Sequence, residues 1–202
     1  MTTVLHDLTA RHLSDAYRTK EISPVEVTRA VLARIDTWDR KLNAMYVIDA
    51  EGALVQAVAS ETRWREGRPL SPLDGVPITI KDNIATKSVP VPVGTAAADF
   101  TTATVDQPPA ARVREAGCVI LGKTTMPDFG MLASGVSSLH GVTRNPWNLD
   151  RNTAGSSSGA GAAIAAGYGP LALGTDIGGS VRLPASYNGI FALKPSLDRV
   201  PI

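Results

Sequence analysis

Residues 73–84 read Leu73-Asp74-Gly75-Val76-Pro77-Ile78-Thr79-Ile80-Lys81-Asp82-Asn83-Ile84. Turn formers come first, a β-branched run follows, and charged and amide groups close it. That order predicts a strand carrying polar chemistry at its tip. A second apolar run, Cys118 to Leu121, follows a helix expected to begin at Asp106, run to about Ala116 and close at Gly117. Residues 88–104, rich in Pro, Ala, Thr and Gly, are expected to form a loop. Strands alternating with helices predict an α/β fold with helices outside a sheet.

Upstream, Ser23-Pro24-Val25-Glu26 reads as a capping box with proline at the first helical position. Val27, Val31, Ile35 and Trp38 then form one apolar stripe, with Arg29, Arg34 and Asp36 off it. A shorter helix is expected around residues 7–20, a strand at Met45–Ile48, and a helix capped by Asp49 that runs to about Arg65. Downstream, the apolar segment 160–167 (AGAAIAAG) lies between Gly/Ser clusters, and LALGTD (171–176) and GIFALKP (189–195) read as strand-like. The segment 144–154 (RNPWNLDRNTA) is polar and expected to be irregular.

The chain has 202 residues, 44% hydrophobic and 19% charged, a composition that folds as a globule, and its length favours one domain. Twenty basic against nineteen acidic residues leave a net charge of +1, so no long-range field favours nucleic acid or an anionic membrane. The single cysteine, Cys118, sits in an apolar run and reads as a buried inert thiol, which suits a reducing compartment. The opening MTTVLHDLTARH lacks a basic start followed by an apolar stretch, so a cytoplasmic location is expected.

Two short motifs suggest chemistry that their surroundings oppose. Gly117–Thr124 matches G-x-x-x-x-G-K-T, but a phosphate loop follows its strand, whereas here Cys118–Leu121 would itself be the strand. Gly155–Gly159 matches G-x-S-x-G around Ser157, yet no buried strand precedes it. The histidines His6, His12 and His140 all come earlier in the chain, so the order serine, acid, histidine cannot be completed. His6 and His12 are expected exposed on the first helix and His140 in a loop.

Without histidine, a serine can be activated by a neutral lysine. Lysine ordinarily titrates near ~10.4, and burial lowers that by up to about 3–5 units, so such a lysine needs apolar surroundings beside hydroxyls. Lys81, ending an apolar run, meets the first condition; Lys20, Lys41 and Lys87 lie in polar stretches. The segment Gly174–Pro184 (GTDIGGSVRLP) supports two readings. Its glycines can turn successive N–H groups toward an anion beside Ser180, or it is a glycine turn in which Ser180 caps a helix and Asp176 pairs with Arg182.

Together these segments resemble the amidase signature family. GVPITIKDN, NPWN, GSSSGAGAAIAAG, TDIGGSVRLPAS and GIFALKPS occur in that family's order along nearly the whole chain. The resemblance implies a mixed β-sheet core flanked by helices and a Ser-Ser-Lys triad that hydrolyses amides. Carried over by motif, Ser180 is the nucleophile, Ser156 the bridging serine after a cis Gly155–Ser156 peptide, and Lys81 the base. The N–H groups of Ile177, Gly178, Gly179 and Ser180 form the oxyanion hole. No cofactor and no metal is implied. The expected partner is a small-molecule amide. The alternative within the family is one component of an amidotransferase, the A-type polypeptide, acting on acylated tRNA, and a third reading is a silent fragment.

Ala154 and Ser158 stand where that family often has glycine, as does Asp198 after KPS. Family members are also considerably longer. Residues 1–202 are therefore expected to be the N-terminal portion of a single domain, with a helical region at 1–70 and a catalytic core at 71–202. An unpaired sheet edge and exposed apolar surface are expected, covered in a whole enzyme by a C-terminal half, a partner chain or a second copy.

Overall fold

The structure is a computed structural model that describes residues 4–201. Met1–Thr3, part of the opening stretch considered above, and Ile202 lie outside the described residues.

The elements follow local signals. Helix α1 (Ala10–Thr19) is capped by Thr9, and α2 (Pro24–Leu42) carries both halves of the Ser23/Glu26 capping box. Val27, Val31 and Ile35 are buried, while Trp38 is half-buried with Arg34 and Lys41 over its ring. Strand β1 (Met45–Ile48) leads directly into α3 (Ala50–Arg65), whose first turn is capped by the Asp49 carboxylate. Strand β2 (Pro77–Lys81) is buried at every residue. Helix α4 (Pro108–Glu115) precedes β3 (Val119–Thr124), and α5 (Ser158–Ala165), β8 (Leu171–Leu173) and α6 (Arg182–Asn188) complete the main body. Two short ribbons, β4 (Val136–Ser137) with β5 (Gly141–Val142) and β6 (Arg144–Asn145) with β7 (Asn148–Asn152), lie between β3 and α5.

The main sheet is mixed, in the order β1-β3-β2-β8, with β1 antiparallel to β3 and β2 parallel to both β3 and β8. One face packs on α1, α2, α3 and α5 through Leu13, Val31, Ala53, Val119, Leu121 and Ala162. The other face packs Ile78, Ile80 and Ile120 against Ala110 of α4. A register shift after Ile78 gives β3 an extra residue. Ile80 then pairs with Lys123 and Lys81 with Thr124, so the two lysines leave neighbouring strands on opposite faces. At the shift, a side chain on Gly122 would sit 2.0 Å from the Val47 carbonyl oxygen, so only glycine lets β1 close on β3 there.

Five expectations need correction. Helix α4 begins at Pro108, not Asp106: prolines fill its first turn, while the Asp106 carboxylate accepts the Lys87 N–H and pairs with Arg114. The polar segment 144–154 contains the β6–β7 ribbon. GIFALKP forms no strand: no sheet edge pairs with it, and Phe191 and Leu193 are exposed at 91% and 74%. His6 lies half-buried in a 3-10 turn before α1 rather than on it. Strand β3 also runs on through Thr124, which puts the Gly-Lys-Thr of the phosphate-loop match inside the sheet.

Candidate active site

Strand β2 delivers Lys81 to its C-terminal end with a side chain that is fully buried. The amine donates to Ser156 Oγ at 2.8 Å and Thr175 Oγ1 at 2.7 Å. Burial pulls its pKa down to about 7, against the opposing pull of the Asp82 and Asp176 carboxylates.

Ser156 is placed by close backbone approach on both sides. The Gly155–Ser156 peptide is cis. A side chain on Gly155 would lie 2.4 Å from the Ser134 carbonyl oxygen, and one on Gly159 would lie 2.2 Å from that of Ala44. The absence of a Cβ at Gly155 seats this turn on the 132–134 loop, and its absence at Gly159 lets the start of α5 drop onto the start of β1 and the end of β3. Ser157, rejected above as an esterase nucleophile, has a structural task. Its hydroxyl donates to the Thr175 carbonyl at 3.2 Å and accepts the Thr175 N–H at 3.3 Å.

The Ser157 N–H donates to the Ser180 carbonyl at 3.0 Å, which ties the 174–180 loop to the turn holding Ser156. Ser180 is half-buried, and its hydroxyl makes no hydrogen bond to Ser156 or to any other described residue. It does not cap α6, whose N-cap is Val181. The Asp176–Arg182 pairing is present: the guanidinium reaches both carboxylate oxygens, at 3.0 and 2.9 Å. The same carboxylate accepts the N–H groups of Gly179 at 2.7 Å, Val181 at 3.0 Å and Arg182 at 3.2 Å. These contacts hold Asp176 well below the usual carboxylate range, Arg182 foremost. The N–H of Gly179 is therefore already used, whereas those of Ile177, Gly178 and Ser180 have no protein acceptor among the described residues. Ile177 is fully exposed, at the mouth of this loop.

The NPWN motif acts at a distance from these groups. Asn145 donates to the Tyr187 carbonyl at 2.8 Å and the Trp147 indole to that of Asn188 at 2.7 Å, fixing the end of α6. Sequence reasoning missed Thr175 as a partner of Lys81, Ser157 as a tie, and the contact of His140 with Asp82.

A sheet of this topology, bringing the GVPITIKDN, GSSSG and TDIGGS segments around one buried lysine, defines a class of α/β protein that comparison makes specific. Residues 26–202 match the amidase family model, and the chain belongs to that family. It is 44% identical over 196 residues to the A-type polypeptide of glutamyl-tRNA(Gln) amidotransferase from Geobacter metallireducens, an alignment covering 97% of this chain and 40% of that protein. The corresponding polypeptide of Streptomyces coelicolor is 42% identical over 193 residues, 96% of this chain and 39% of that protein. Among solved structures, fatty acid amide hydrolase superposes with a TM-score of 0.87 at 29% identity, over 91% of this chain and 32% of that one. The native peptide amidase of Stenotrophomonas maltophilia superposes with a TM-score of 0.83 at 32% identity, over 89% and 38%. The chain spans about 40% of the length of the curated relatives it matches. No helix among the described residues is long and apolar enough to cross a membrane.

Proposed function

We propose that the chain carries the catalytic groups of an amidase: Lys81 as base, Ser156 as bridging hydroxyl and Ser180 as nucleophile. The observation that carries this reading is the buried Lys81 amine, 2.8 Å from Ser156 and brought to a pKa of about 7. At neutral pH about half of such amines are free to take a proton, and the neighbour is a hydroxyl rather than a carboxylate. In the reaction, Lys81 takes a proton from Ser156, Ser156 takes one from Ser180, and the Ser180 oxygen bonds to the amide carbonyl carbon. The free N–H groups of Ile177, Gly178 and Ser180 are available for the oxygen that becomes negative, while Gly179 shapes the loop through Asp176. The C–N bond then breaks as the proton returns along the relay to the leaving nitrogen. Water next attacks the acyl-enzyme and releases the acid. The open Ser156–Ser180 contact accords with catalytic hydrogen bonds that tighten only once substrate is bound.

The substrate is a small carboxylic amide, and the lone buried Cys118 accords with a reducing, cytoplasmic setting. A second reading is favoured by the identity to the amidotransferase polypeptides: the same hydrolysis would release ammonia for transfer to an acylated tRNA, with a partner protein present. Ammonia release from a panel of primary amides, measured for the chain and for Ser180→Ala, tests the proposal. Release by the unaltered chain alone supports the free hydrolase. Equal release by both proteins, or none from the unaltered chain with or without a partner protein, contradicts the triad.

A further inference from the structure

Asp82 follows Lys81 directly and is fully buried. Three donors from other segments fill its carboxylate: the Val93 N–H at 3.0 Å, the Gly94 N–H at 2.8 Å and His140 Nε2 at 2.9 Å. His140 is itself held in place. Its ring lies 4.8 Å from that of Tyr46, its N–H donates to Ser137 Oγ at 2.9 Å, and its carbonyl accepts from Asn43. Ser137 in turn donates to the Gly94 carbonyl, which closes a ring of contacts around the carboxylate.

A buried carboxylate persists only when paired or well hydrogen-bonded, and its field is strong in low-dielectric surroundings. That field acts on two buried amines, Lys81 on the α5 face and Lys123 on the other, favouring the charged form of each against burial. The other charged groups are few. Asp176 acts on Lys81 from the loop after β8, and Asp106 acts on Lys123 from the segment before α4. Helix α5 brings only serines, glycines and apolar residues, and β1 brings Tyr46. The turn after β2 is fixed as well, because the Ile84 N–H donates to the Lys81 carbonyl at 3.1 Å and Lys123 Nζ reaches the Ile84 carbonyl.

We propose that Asp82, fixed by His140 and the Val93 and Gly94 amides, is a positioning residue that anchors the end of β2 from which Lys81 reaches Ser156 and sets the pH at which that amine can accept a proton. The proposal rests on the reading of Lys81 as the base. Donors drawn onto Asp82 withdraw charge from it, so its field opposes the effect of burial on Lys81 without cancelling it.

The test is an NMR titration of the full chain labelled with 13C at lysine Cε, with the Lys81 signal assigned by its loss in Lys81→Met. Asp82→Asn should lower the Lys81 midpoint by at least about half a pH unit, as expected when a neighbouring carboxylate is neutralised. The acid limb of amide hydrolysis should move with it. A merely structural Asp82 would reduce kcat and leave the midpoint in place, so an unmoved or raised midpoint overturns the proposal. Should Asp82→Asn fail to fold, His140→Ala reads the same link from the other side. Freeing the carboxylate of the imidazole should raise the Lys81 midpoint, and an unchanged or lower value overturns the proposal. The signal titrates without turnover. A chain that hydrolyses no amide would thus count against the proposed function and leave this measurement decisive.

Discussion

Lys81 and Ser156, seventy-five positions apart in sequence, meet at 2.8 Å between Nζ and Oγ, and Lys81 makes no salt bridge among the described residues. An amine enclosed by two hydroxyls, with carboxylates acting only from a distance, is arranged to lose its proton near neutrality.

Activity should follow that ionisation. With the Lys81 amine brought down to about 7, kcat/KM should rise about tenfold per pH unit below that value and level off above it. Lys81→Arg should abolish turnover as completely as Lys81→Met, because a guanidinium keeps its proton at any workable pH. A pH profile with both variants checks this.

Stability should carry the same signature. The amine is lowered in the folded chain, so between about pH 7 and 10.5 the unfolded chain binds more protons and stability rises with pH across that window. Below about 7 the destabilising contribution is at its full size. Lys123, lowered to about 8 by burial, adds a rise of the same sign between about 8 and 10.5. Urea midpoints at pH 7.5 and pH 9.5 should climb less in Lys81→Met than in the unaltered chain.

Asp176 should matter to rate more than to folding. Its carboxylate gathers three N–H groups and the Arg182 guanidinium, and so sets the course of the loop before Ser180. Asp176→Asn should lower kcat by about 100-fold, the scale of one lost oxyanion donor, with far-ultraviolet dichroism unchanged. Parallel kinetics and dichroism test both halves.

Two glycines should behave oppositely. A Cβ on Gly159 would meet the Ala44 carbonyl oxygen at 2.2 Å and the Thr125 nitrogen at 2.5 Å, both backbone, so Gly159→Ala should cost about 1–3 kcal/mol by overpacking. Gly178 has nothing within 4 Å of such an atom, and Gly178→Ala should leave the unfolding midpoint within error. Denaturant unfolding of the pair makes the comparison.

What the sequence revealed was mostly local. The Ser23/Glu26 box and the Asp49 cap span a few residues, so their partners are visible in the string itself. The amidase motifs marked Lys81, Ser156 and Ser180, and the fold brings Lys81 to Ser156 and ties Ser180 to Ser157. Long-range pairing stayed hidden. Nothing near His140 announces a carboxylate fifty-eight positions earlier, and Thr175 reaches Lys81 only because β8 pairs with β2. The commitment of the Gly179 N–H to Asp176 depends on loop geometry that a glycine pair leaves open. Phe191 and Leu193 read as strand from composition alone, and a strand needs a neighbour.

The central claim is that Lys81, through Ser156, makes the Ser180 oxygen reactive. The most direct measurement is the rate at which a fluorophosphonate probe modifies the chain across pH, with the adduct located by peptide mass spectrometry. The account predicts one adduct, on Ser180, forming faster as pH rises through about 7 and lost in Lys81→Met. An adduct on another serine, or labelling of Ser180 that ignores both pH and Lys81, would contradict it.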